Sequence, residues 1–101
     1  MAYYFLKLLP PRSTFVQDMS AEEAAIMGAH AAYWQKLIEE GTHVLALGVV
    51  LDPAGAFGMG VVEVKGEDRL RELLEKDPVA RANFGARFEF YPMPRGVMHS
   101  S

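Results

Sequence analysis

The apolar positions change period several times along the chain, and each change predicts an element. Residues 3–9 (YYFLKLL) are aromatic, β-favouring and stopped by Pro10 and Pro11, which predicts a first strand. Residues 12–19 hold no sustained period and predict a loop. Ser20 followed by Glu23 has the capping-box spacing, in which the hydroxyl takes an orphan N–H and the carboxylate reaches back. Glu22 and Glu23 also suit the positive end of a helix dipole. A helix is predicted over 21–40, ended by Gly41 as a left-handed cap. Residues 44–51 (VLALGVVL) predict a second strand, 52–55 a Pro- and Gly-bearing turn, and 58–64 (GMGVVEV) a third strand that closes a hairpin. Leu70, Leu73 and Leu74 fall on one side of a helix over 67–76. Asp77-Pro78 breaks that helix, and a short helical turn follows to Asn83. Residues 86–91 (ARFEFY) alternate as a half-buried strand does, and 92–101 form a tail.

The order β-α-β-β-α-β at this length gives the fold class: α+β, the ferredoxin-like βαββαβ arrangement, with two helices on one face of a four-stranded antiparallel sheet. Residues 1–92 make a single domain and 93–101 a C-terminal tail. The first two strands are apolar at odd and even positions alike, whereas a sheet with one wet face alternates. The helix-free face is therefore expected to be covered. A second copy of the chain is the simplest cover, giving a homodimer with sheets face to face; the alternative is the tail.

Composition narrows the function classes. Half of the 101 residues are hydrophobic and 23% are charged, as in an ordinary globular domain. A net charge of -3 with no Lys/Arg cluster disfavours nucleic acid as a partner, since phosphate binding draws on a basic surplus. The absence of cysteine removes disulfides, thiolate catalysis and Cys-based metal sites, and is compatible with a reducing compartment. Residues 1–9 lack a basic leader and a small-residue cleavage site, so no signal peptide is expected. No apolar run approaches the roughly 20 residues of a membrane span. The expectation is a cytoplasmic protein with no membrane partner.

One imidazole stands out. Met27, Ala31, Trp34, Leu37 and Ile38 form the apolar stripe of the first helix, and His30 falls on or beside it, away from Glu22, Gln35 and Glu39. A buried imidazole needs a hydrogen-bond partner, and its ordinary pKa near neutrality suits it to acid–base work. A lone histidine on an amphipathic helix is more often a satisfied core or boundary residue than a catalyst. Asp77 opposes the dipole of the helix it ends. With Pro78 it reads as an N-cap followed by proline at the first helical position. That role leaves it free to orient His30 as well. Asp52-Pro53 reads more plainly as a turn. His43 and His99 have no partner at metal-ligand spacing, so no metal is expected. The hairpin glycines Gly55, Gly58 and Gly60 do not open a helix and so do not form a phosphate loop. Ser13, Ser20, Ser100 and Ser101 are poor candidates for a nucleophile.

These pieces, in order, resemble the YCII-related (YciI-like) family. The resemblance rests on His30 in GAHAAYWQKLIEEG, on LALGVVLDPAG, on FGMGVVEV, and on the Asp-Pro ending in LRELLEKDPVARANF, and spans about residues 3–91. It implies a dimeric α/β barrel of ferredoxin-like subunits and an active site around a His-Asp pair, which maps onto His30 and Asp77. Some members of that family act as lyases that eliminate halide from small lactone-type rings. The family often has Gly-Pro in the second strand where Gly48 is here followed by Val49.

With that resemblance, the expected function is a cofactor-independent enzyme of lyase or isomerase type. His30 would take a proton from an activated carbon of a small cyclic or unsaturated acid, with Asp77 as its orienter, and dehydrohalogenation is one outcome. The expected substrate-binding residues are Phe5, Tyr33, Trp34, Gly48, Asp52 and Phe57, with backbone N–H groups near Gly48 stabilising an enolate. The alternatives are a non-catalytic small-ligand-binding or accessory domain and, on fold analogy alone, a dimeric-barrel monooxygenase.

Overall fold

A computed structural model describes residues 1–97; His99, Ser100 and Ser101 lie outside the described residues. The elements are β1 (Ala2–Leu9), α1 (Phe15–Asp18), α2 (Ala21–Glu39), β2 (His43–Val50), β3 (Phe57–Val64), α3 (Glu67–Glu75), α4 (Pro78–Ala82) and β4 (Arg87–Pro92). The sheet runs β2-β3-β1-β4 with every pair antiparallel, which is the ferredoxin-like order. The expected elements all form. The exception is the loop over 12–19, which contains the single helical turn α1. Its Phe15 is buried and tilted against Phe84, an anchor that no period in so short a segment reveals.

The helix ends obey local chemistry. Ser20 Oγ accepts from the Glu23 N–H while the Glu23 carboxylate accepts from the Ser20 N–H, so the capping box is complete. At the other end Gly41 has φ +102°, Gly41 N–H donates to Ile38 and Thr42 N–H to Leu37. That is a Schellman motif, and it turns the chain from α2 into β2.

Strand parity decides what each face does. The even residues Tyr4, Leu6, Val62 and Val64 meet Trp34, Leu37, Leu70, Leu73 and Leu74 in one core cluster. The odd residues face away from the helices. There Phe5 stacks on Tyr91, the Lys7 ammonium lies over the Phe57 ring, and His43 pairs with Glu63. The helix-free face is thus a half-buried aromatic and apolar surface edged with charge. The tail does not fold back over it from its start: Met93 N–H donates to the Tyr3 carbonyl, extending the ladder, and residues 94–97 are exposed.

One irregularity matters for function. Val44 pairs with Val62 but Ala46 pairs with Val61, so Leu45 is an extra residue in a bulge. Beyond it the parity of β2 inverts. Leu47 and Val49 stand opposite Gly60 and Gly58 and so share their face, the helix-covered one.

Candidate functional site

Helix α2 bridges the sheet without settling on all of it. Of its 19 residues only Trp34 and Leu37 are buried. Beneath its stretch from Met27 to Ile38 lies a cavity of about 420 Å³. Leu6, Leu8 and Phe88 form part of its floor, Met27, His30 and Trp34 its roof, and Phe15, Val16 and Met19 from the α1 segment a third wall. The volume falls in the range usual for small-molecule sites. Gly58 and Gly60 leave the space open. A Cβ on Gly58 would come 3.2 Å from Leu8 Cβ, and one on Gly60 would come 2.8 Å from Leu47 Cδ2.

His30 is fixed from behind. Its Nδ1 lies 2.7 Å from Asp77 Oδ2, across 47 residues of sequence. Trp34 Nε1–H donates to the same oxygen at 2.7 Å, and Val79 N–H donates to Oδ1 at 2.9 Å. The Asp77 carboxylate is fully buried, and these partners satisfy both of its oxygens. The two functions read from its sequence position coexist: it caps α4 with Pro78 at the first helical position, and it holds the imidazole. A proton on Nδ1 donated to Asp77 leaves the lone pair on Nε2. No buried side-chain nitrogen or oxygen among the described residues lacks a partner, so Nε2, which has none, is accessible, and the ring that carries it lines the cavity. Phe88 flanks the ring at 6.3 Å between centroids.

The structure separates the expected site residues. His30, Trp34, Gly48 and Phe57 line the cavity. Three others lie away from it. Phe5 has the odd parity of β1 and stacks on Tyr91 on the helix-free face. Tyr33 turns toward α3, where its hydroxyl donates to the Leu73 carbonyl; burial, then the nearby Asp77 carboxylate, holds its phenol above the usual range. Asp52 closes the β2–β3 turn, its Oδ1 accepting from Ala54 N–H at 2.8 Å, and it is exposed outside the cavity.

The sequence reading also missed contributors. Phe15, Gln35 and Phe88 line the cavity without having been singled out, and Met27 and Ile38 line it where the stripe suggested plain core. Gly58 and Gly60 carried the one usable signal: two glycines spaced by two along a strand remove side chains from the same face. The third donor to Asp77, Trp34 Nε1–H, had no sequence signal at all.

Among the described residues no group of three or more His, Asp or Glu side chains gathers as a metal site, and no helix is long and apolar enough to cross a membrane. The segment walling the cavity is tied down by charge. Arg12 bonds Glu23 at 2.7 and 2.8 Å and Asp18 at 2.8 Å. Those bonds to Arg12, then the Ser20 N–H, pull the Glu23 carboxyl down to about 2.

Compared with known proteins, residues 1–94 match the family model described as a YCII-related domain. No curated protein matches the chain.

Proposed function

Since the chain belongs to the YCII-related family, we propose that it is a small-molecule enzyme of lyase or isomerase type in which His30 is the base and Asp77 its orienter. The observation that carries this reading is the buried Asp77 carboxylate 2.7 Å from His30 Nδ1, with the imidazole lining an apolar cavity. Nε2 would take a proton from an activated carbon, and the electron pair of the broken C–H bond would form a new C=C bond. In elimination the leaving group departs with its own pair. In isomerisation the imidazolium returns the proton to another carbon. Asp77 stabilises the imidazolium in either case and fixes the ring's tautomer. His30→Ala is expected to lower turnover by about 10²–10⁴-fold while the fold persists. A His30→Ala protein with full activity overturns the mechanism.

A ligand-binding domain without turnover is the second reading. It is favoured by one feature: the polar groups converging on the cavity are few, and no pair of oxyanion donors is evident among its side chains. Exchange of an activated C–H proton with deuterated solvent, in wild type but not in His30→Ala, separates the two.

The same proposal includes a homodimer joined through the helix-free faces as a dimeric α/β barrel. Phe5, Tyr91 and Val61 stand in register across β4, β1 and β3 and would form its centre. Sedimentation velocity is expected to show a dimer that Phe5→Glu converts to monomer; a monomeric wild type rejects it.

A further inference from the structure

The charge of the cavity wall is as informative as its shape. Trp34 N–H is already engaged by Asp77, and beyond it the only polar side chains among the described residues that line the cavity are His30 and Gln35. Among the described residues no lysine or arginine lines it. Two basic residues of the framing elements are engaged by other groups. Arg12 is held by Asp18 and Glu23. Lys7 has the odd, helix-free parity of β1, and its ammonium lies 4.7 Å from the ring centroid of Phe57, a residue that also lines the cavity. A carboxylate or phosphate moving in from water would lose its hydration and find no cation among the described lining residues except a protonated His30. Behind that ring the Asp77 carboxylate already occupies the imidazole's other nitrogen.

We infer that this site takes a neutral, largely apolar molecule, such as a cyclic enone, whose one polar end meets His30 Nε2, and that it discriminates against the corresponding acid. This rests on the cavity being the ligand site, and it replaces the acid expected from sequence with an uncharged ring compound. A neutral ligand also suits the base chemistry. Deprotonating it creates a single new anion beside a new imidazolium, whereas an acid would bring a second negative charge into a wall that cannot balance it.

The test uses coumarin and its ionised 3-carboxylate with the full chain, at mildly alkaline pH. The indole N–H resonance of Trp34 is a unique NMR reporter, because the chain holds one tryptophan. Coumarin is expected to shift it and to bind at least about tenfold more tightly than the carboxylate, about 1.4 kcal/mol. Gln35→Arg, on the cavity wall, is expected to erase most of that preference by giving the carboxylate a guanidinium partner. Equal or tighter binding of the carboxylate by the wild type overturns the inference, as does a Trp34 resonance that neither compound moves. A preference that survives Gln35→Arg unchanged overturns its electrostatic cause. The measurement involves no turnover. A failed base mechanism would appear as missing C–H exchange with this binding ratio intact, so the two failures are distinguishable.

Discussion

The two halves of β3 show how one strand supports two kinds of interior. Its helix-facing positions read Gly58, Gly60, Val62, Val64. Over the valines sits α3, nine residues long, with Leu70, Leu73 and Leu74 all buried. Over the glycines passes the first part of α2, whose Met27 and Ala31 line a cavity instead of meeting the sheet. The valine half is closed, with Val62 and Val64 buried in the core cluster. The glycine half is held open, and its roof is carried by Trp34, Leu37 and the buried polar knot at Asp77. Stability therefore concentrates at one end of the sheet and binding capacity at the other.

The largest effect that would break this contrast is a stability change. Leu70→Ala is expected to cost about 2–5 kcal/mol, the range for emptying a filled core site. Met27→Ala, which only enlarges an existing space, should cost about 1 kcal/mol or less. Urea unfolding of both proteins measures the difference, and equal costs would mean that α2 is seated as firmly as α3. Next comes a change in binding. A methyl group in Gly60→Ala would meet Leu47 Cδ2, the end of a flexible side chain that is 44% exposed and free to rotate. The fold should survive within about 1 kcal/mol, since alanine also costs the chain less backbone entropy than glycine. Coumarin affinity should fall about tenfold as the floor rises. Unchanged affinity would place the ligand elsewhere.

The smallest effect concerns the α1 wall. Glu23 titrates near 2 in the folded chain, against about 4.3 when free. The folded state therefore favours its ionised form. Its stabilising contribution is present above the free value and fades as pH falls from about 4.3 toward 2. The difference in urea midpoint between wild type and Glu23→Gln should be present at neutral pH and vanish across that acid window. Because the Arg12 cluster lies at the surface, solvent screening keeps the difference modest. A difference that stays constant with pH would detach Glu23 from this role.

What the sequence could reveal depended on how local the cause was. The Ser20–Glu23 box, the Gly41 cap and the Asp77-Pro78 start are written within a few residues each, and all form as read. The element order followed from periodicity for the same reason. The site was legible only in part. His30 and Asp77 were picked out by stripe position, dipole misfit and family resemblance, and they do meet. Phe5 and Tyr33 sit away from the cavity, and aromatic character says nothing about which face or neighbour a ring finds.

The chain alone thus determined its elements, their caps, the fold class and an imidazole on the inner side of a helix, because hydrogen bonds and apolar periods of short range set these. Only tertiary structure decided the rest. The bulge at Leu45 reversed the parity of β2 and turned Leu47 and Val49 inward. The glycines of β3 became a floor once α2 crossed above them. Trp34 and His30 converged on the Asp77 carboxylate from more than forty residues away. Each of these depends on where separate segments come to rest against one another, and no residue's own neighbours in sequence contain that information.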